Sequence, residues 1–335
     1  MDTLLADSFE KFLAGCCTPA VVREVERTQQ APALWKEIEA SGYADLLVSE
    51  AAGGAGLGLR EAFAVLLSCG QHALPVPLGA TMWLHAALAN AGIAAPSGPM
   101  TIATQCSRDA NGSINCQGVP FGALADWVLV ADAQGCTLLP VAQGERRVTG
   151  VHGSLQSHIR WRAGPLGALA LPIDTPWLCA GALLTATLMA GAMQRVLDAS
   201  LAYANDRAQF GKSIGKFQAV QQQLSVMAEQ VFAARMAAEI GCASGITPHP
   251  LRAAVAKARA SEAAEKVVAI AHAVHGAIGV TAEYDLQLHT RRLQEWRADF
   301  GSQTYWQAQL GAALLAAPQP STLQFMLAEL VPQAA

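Results

Sequence analysis

The densest run of side chains able to do chemistry is Arg207-Ala-Gln-Phe-Gly-Lys-Ser-Ile-Gly-Lys-Phe-Gln218. It sets an arginine at a helix end, a Phe-Gly turn, and a glutamine one turn into the next helix. A guanidinium suits phosphate because its donors lie in a rigid planar fork. Taken alone, Arg207 is equally an ordinary solvated helix-end arginine followed by a core phenylalanine. Other runs carry less. The glycines of Gly53-Gly-Ala-Gly56 could cradle phosphate, but no strand precedes them and no Lys-Ser/Thr pair follows, so they mark a turn between helices. The eight cysteines, at positions 16, 17, 69, 106, 116, 136, 179 and 242, lack CxxC spacing. They are expected to be reduced, buried thiols, with no metal site and no disulfide. His275 has no carboxylate near it in sequence to orient it and is expected to be a packed helix-end histidine.

The elements that must position these groups follow from composition and periodicity. A chain of 335 residues suggests two or three structural units. Hydrophobic residues make up 52% and charged residues 14%, with a formal net charge of −4. That balance argues against disorder, and without a basic stripe nucleic acid is not expected as a partner. So few charges imply apolar surface covered by other subunits. The first residues, MDTLLADSFEKFL, are acidic where a secretory signal would be basic, so a cytoplasmic location is expected. No apolar run is expected to span a membrane, and Trp177–Met193 is expected to be a buried helix.

Three textures succeed one another. Residues 1–98 read as an N-terminal helical domain, with apolar positions such as Leu34 and Ile38, then Ala62, Phe63, Leu66 and Leu67, at helical spacing. Residues 99–173 read as a small central β domain, a barrel or sandwich. Its short β-branched runs begin at Met100, Trp127, Cys136 and Arg147, punctuated by Asn111-Gly112 and Gly135. An antiparallel set is expected. Residues 174–335 read as a C-terminal helical bundle, with helices over 177–207, 215–243, 251–276, 284–298 and 302–316. The fold class is therefore mainly α with a small central β domain.

The segment Tyr203-Ala-Asn-Asp-Arg-Ala-Gln-Phe-Gly-Lys-Ser-Ile-Gly-Lys-Phe-Gln-Ala219 resembles the Arg-x-x-Phe-Gly…Gln signature of acyl-CoA dehydrogenases. Downstream, His275-Gly-Ala-Ile-Gly-Val-Thr-Ala-Glu-Tyr-Asp-Leu286 followed by Arg291-Arg292 is similar to the family's Gly-Gly-x-Gly…Glu-x-x-Leu…Arg block. Leu34-Trp, Gly42-Tyr, Leu47-Val-Ser-Glu50, Gly53-Gly-Ala-Gly56 and Gly122-Ala-Leu-Ala-Asp126-Trp also fit it. The resemblance implies the family's three-part fold and oligomers whose FAD is shared between subunits. It implies desaturation of an acyl-CoA thioester, with electrons leaving through an electron-transfer flavoprotein. It makes Arg207, Gln209, Phe210, Ile214, Phe217 and Gln218 cofactor-binding residues. Gly276 and Gly279 would admit the dinucleotide's other end.

The chain also departs from that pattern. Ala273 and Ala277 replace the Gln and the second Gly of the downstream block. A Thr-Glu-Pro…Gly-Ser-Asp loop beside the flavin should lie between Met100 and Asp126, where Ala103–Ile114 stands shortened. The proton-accepting carboxylate belongs at one of two positions, and these hold Phe300 and Ala182. Asp299 is expected to be a solvated acid, and a displaced base only as the alternative. The resulting expectation is a subunit without its own base. It would lend FAD pyrophosphate contacts to a second, catalytic acyl-CoA dehydrogenase chain in a heterotetramer, similar to short subunits of bacterial α2β2 enzymes acting on steroid side-chain CoA esters. The alternatives are a self-sufficient homotetramer using a displaced base, or a scaffold without FAD.

Overall fold

A computed structural model describes residues 2–132, 135–162, 164–172, 175–319 and 321–331. The chain opens with α1 (Asp2–Cys16), α2 (Pro19–Thr28), α3 (Pro32–Ser41), α4 (Leu59–Gln71) and α5 (Leu78–Asn90). Local chemistry sets their ends. Thr18 caps α2 by accepting from the Val21 N–H, Pro19 occupies the first turn, and Gly42 at φ +77° terminates α3. Their apolar faces, with Phe9, Leu13, Ile38 and Leu66 fully buried, enter the main core.

Eight strands follow: β1 (Met100–Ile102), β2 (Gln105–Arg108), β3 (Ile114–Val119), β4 (Trp127–Asp132), β5 (Gly135–Pro140), β6 (Gly144–Val148), β7 (Ser157–Trp161) and β8 (Leu169–Leu171). They form two sheets, ordered β1-β4-β5-β8 and β2-β3-β7-β6. The two-residue period of a strand explains the layering. Val128 and Val130 of β4 join Ile114, Cys116, Ile159 and Trp161 in a core of their own, whereas Leu129 joins the helical core. The first sheet is thus buried on both faces. One expectation fails here, because β1 and β4 pair in parallel and not antiparallel. Between them the chain leaves for the second sheet through the β2–β3 hairpin, and a crossover of that kind returns a strand parallel.

The bundle comprises α6 (Trp177–Asp206), a short hairpin β9 (Ala208–Gln209) and β10 (Lys212–Ser213), then α7 (Gln218–Cys242), α8 (Pro250–His275), α9 (Leu286–Trp296), α10 (Gln303–Ala316) and α11 (Thr322–Glu329). Helices 177–207, 215–243, 251–276, 284–298 and 302–316 are therefore found close to their expected limits. The expected border between residues 173 and 174 lies outside the described residues. Two segments, Trp177–Asp206 and Pro250–Val280, are long and apolar enough to cross a membrane by length and composition. The apolar window of α6 is 72% buried inside the fold, which marks it as the central helix. Small residues let it approach its neighbours. A Cβ at Gly191 would fall 2.0 Å from the Leu67 carbonyl oxygen, and one at Gly70 would fall 2.1 Å from that of Leu188. The backbones of α4 and α6 are therefore in direct contact.

A buried ionic clamp joins the first helices to the bundle. Arg292 donates to the carbonyls of Ala73 and Leu74 and to Glu26, and Arg291 donates to the same carboxylate at 2.7 Å and to the His152 carbonyl at 2.8 Å. Burial pulls the Arg292 guanidinium below its usual value, and Glu26 opposes that pull. Removing one member of such a network strands the other charge in the interior. Glu26→Ala should lower unfolding free energy by about 3–5 kcal/mol in chemical denaturation, far more than loss of a surface pair.

Candidate functional site

Two places gather the residues singled out by sequence. The first is one end of the bundle, where the β9–β10 hairpin projects beyond α6. Arg207, Gln209 and Phe210 are exposed, and Phe210 sits at φ +52° with 92% of its surface open. Arg207 has no ion-pair partner among the described residues. Its backbone is fixed through hydrogen bonds from its N–H to Tyr203 and from Ile214 to its carbonyl. Phe217 packs edge-on to Phe210, with ring centroids 6.3 Å apart, and carries the Lys212 ammonium 4.4 Å above its ring. Ile214 is half-buried, packing beside Tyr203, and Gln218 opens α7 with its side chain exposed.

The downstream block meets this end. Tyr203 stacks on His275 at 4.5 Å, and Tyr284 closes on both rings. His275 is buried, its Nδ1 lies 2.8 Å from the Ala271 carbonyl, and burial lowers its pKa, so it is a packed neutral histidine. The two glycines separate. Gly276 lies at φ +62°, exposed, with open space where a Cβ would point. Gly279 is buried, and a Cβ there would sit 2.9 Å from His275 Cβ and 3.2 Å from Leu286. Its missing side chain therefore accommodates its own chain, which corrects the expectation that both glycines face a ligand.

The second place is a cavity of about 40 Å³ where the N-terminal helices, the first sheet and the bundle converge. Leu66, Leu184, Leu188 and Phe300 line it with apolar side chains, beside Gly181, Thr101 and Thr185. Phe300 takes φ +53°, and its ring rests on Gly181, where an added Cβ would lie 2.2 Å from the ring. Ala182 is fully buried one residue away. Of the two positions at which the resemblance expects a base, Phe300 lines this cavity and Ala182 is buried beside Gly181 without lining it, and neither side chain can take a proton.

Asp299 corrects another expectation. It is only 5% exposed, not solvated, and it lines the same cavity. The turn after α9 folds inward, and Gln156 reaches it from the loop before β7, donating to Oδ1 at 2.9 Å, while Oδ2 has no partner among the described residues. Burial, reinforced by Glu295, pushes the carboxyl well above its ordinary range, against weaker opposing pulls from Lys257 and Gln156. Lys257 is itself fully buried and spends its donors on Ser261 Oγ and the carbonyls of Arg297 and Gly301, each at 3.0 Å. Its pKa falls to about 8, mainly from burial. The ammonium pins the turn that carries Asp299 and Phe300.

Sequence reasoning passed over Lys257, Gln156 and Glu295. A signal for Lys257 existed: with Ala253, Ala260 and Ala264 it falls on the buried stripe of α8 at helical spacing. Nothing local in sequence announces Gln156. The shortened segment Ala103–Ile114 proves to be β2, a turn held by Asp109, and the start of β3.

Comparison with known proteins agrees with this architecture. Residues 2–96 match the acyl-CoA dehydrogenase N-terminal domain and residues 177–314 match the C-terminal domain. The chain belongs to the acyl-CoA dehydrogenase family, whose members bind FAD. It is 31% identical to acyl-CoA dehydrogenase IpdE2 of Mycolicibacterium smegmatis, over 86% of this chain and 91% of that one. It is 27% identical to acyl-CoA dehydrogenase FadE27 of Mycobacterium tuberculosis, over 90% and 94% of the two chains. The fold matches the ChsE4-ChsE5 complex from Mycobacterium tuberculosis with a TM-score of 0.80 at 20% identity, covering 95% and 98%. It matches the Tcur3481-Tcur3483 steroid ACAD G363A variant equally well, with a TM-score of 0.80 at 24% identity, covering 94% and 97%.

The buried carboxyl gives a pH-dependent test. With its folded pKa raised, Asp299 contributes stability that is fully present below its ordinary value of 3.8 and is lost as pH rises through the raised value. Asp299→Asn should therefore gain stability relative to the parent as pH climbs from about 4 to 8. Urea midpoints of the two proteins at several pH values measure this. A gap that stays constant with pH contradicts a raised Asp299.

Proposed function

We propose that this chain is the non-catalytic subunit of a heteromeric, FAD-dependent acyl-CoA dehydrogenase. One observation supports the reading: Phe300, at the position where the resemblance expects a proton-accepting carboxylate, seats its ring on Gly181. A positioned base contributes roughly 10² to 10⁴ in rate, so a chain without one needs a companion that has it. When bound, FAD supplies the acceptor for the hydride leaving Cβ of the thioester.

The remaining tasks fall to the exposed end of the bundle. Arg207 offers an exposed guanidinium, without an ion-pair partner among the described residues, suited to pyrophosphate; Gln209 and Gln218 add neutral donors, and Phe210 and Phe217 offer aromatic faces. The open backbone at Gly276 leaves room for an approaching nucleotide. A phenylalanine that is 92% exposed beside an exposed arginine fits a hairpin reaching into another chain's cofactor site. The substrate in this reading is a bulky, steroid-derived acyl-CoA. Support comes from the likeness to a heteromeric complex and to a protein described as a steroid ACAD. An electron-transfer flavoprotein would take the electrons onward.

Asp299 favours a second reading, a self-sufficient enzyme with a displaced base, because it lines the same cavity and leaves Oδ2 unpartnered. Against that role, Asp299 is buried, and its other oxygen, Oδ1, is taken by the Gln156 amide at 2.9 Å. The primary reading is tested at Arg207. In an assembly co-expressed with its catalytic partner, Arg207→Ala should weaken flavin retention about ten- to a hundredfold, the worth of a charge-assisted phosphate contact. Unchanged flavin content would support a scaffold without cofactor contacts.

A further inference from the structure

The β2–β3 hairpin carries two cysteines that the desaturation chemistry does not use. Cys106 and Cys116 stand directly opposite each other in the antiparallel register, between the pairs Gln105–Gln117 and Ser107–Asn115. Their sulfurs are 3.0 Å apart, in a thiol–thiol hydrogen bond. Directly opposed residues of an antiparallel pair have Cα separations of about 4.5–5.5 Å, inside the range a disulfide spans. Closing the S–S bond to about 2 Å therefore needs a shift of only about 1 Å.

The two thiols are not equivalent. Cys106 is half-buried on β2, the edge strand of its sheet, where a small oxidant reaches it. Cys116 is 2% exposed, held in the core between the sheets behind it. The Cys106 sulfur accepts from the Cys116 thiol and also meets the backbone N–H of Ala131 on β4, so both neighbours favour a thiolate there. Hydrogen bonding to Cys106 and burial push the Cys116 thiol up, so it stays protonated. A partly exposed thiol with a buried thiol in contact behind it is the arrangement of an attacking and a resolving cysteine.

We propose that Cys106 and Cys116 form an oxidisable dithiol, a modification site at which hydrogen peroxide converts the pair to a cross-strand disulfide. The Cys106 sulfur attacks one peroxide oxygen, the O–O bond breaks, and the other oxygen leaves as hydroxide, giving a sulfenic acid. The Cys116 sulfur then displaces that hydroxyl, forming the S–S bond. Its proton completes one water, and the proton first released by Cys106 completes the other. Two thiols are oxidised, and one peroxide is reduced to two waters. The inference rests on the hairpin alone and is independent of the heteromeric reading.

The test uses the purified full-length chain and equimolar hydrogen peroxide, followed by intact mass, thiol titration after unfolding, and peptide mapping. The expected result is a mass loss of about 2 Da, two hydrogen atoms. Titratable thiols should fall from eight to six and return with dithiothreitol, and a peptide should link Cys106 to Cys116. Cys116→Ser should hold the sulfenic acid at Cys106, where dimedone labels it, and Cys106→Ser should leave Cys116 reduced. The proposal is overturned if Cys106 and Cys116 stay reduced while other cysteines react. It is equally overturned if Cys106→Ser loses thiols at the parent's rate.

Discussion

The contact of the Phe300 ring with Gly181 is the constraint on which the functional account turns. Only a glycine at 181 leaves room for the ring, because a Cβ would lie 2.2 Å from it. Phe300 pays for its place with backbone strain at φ +53°, a conformation that disfavours a bulky residue by about 1–2 kcal/mol. The surroundings hold it there. Gly301 follows at φ +94°, the Trp306 indole donates to the Phe300 carbonyl at 2.9 Å, and Lys257 donates to the Gly301 carbonyl at 3.0 Å. Strain at a turn persists where neighbouring contacts over-determine it. The result is a cavity of about 40 Å³ with the Phe300 ring in its lining.

The bundle's other end has the opposite character. There the chain leaves a guanidinium and a phenyl ring open to solvent, and the aromatic cluster of Tyr203, His275 and Tyr284 fixes the hairpin's base. One closed site and one open cradle in the same chain make physical sense when the groups in the cradle serve a neighbour. The clamp of Glu26 with Arg291 and Arg292 fits this division, because it ties the helical domains together without entering the cavity.

Much of this was legible in the residues, and the reasons differ from place to place. The bundle helices could be read because their periodicity is long and Pro248, Pro250 and Gly276 punctuate it. The turn from Arg207 to Gln218 between two helices could be read because its Phe-Gly signal is local. The parallel pairing of β1 with β4 could not, since it depends on a chain excursion into another sheet. Asp299 looked solvated because the groups around it, Gln156 among them, are distant in sequence and near only after folding. Phe210 could have been a core residue by composition. Its 92% exposure is a property of the hairpin that no propensity encodes.

The central claim is that this chain cannot desaturate a thioester alone but completes a flavin site in company. The most direct measurement is flavin per polypeptide, by absorbance and protein mass, together with turnover of a steroid-derived acyl-CoA, for the isolated chain and for the chain assembled with its catalytic partner. The account predicts a colourless, inactive isolated chain, and an active assembly with one flavin shared by each pair of unlike chains. Stoichiometric flavin and desaturation by the isolated chain would contradict it.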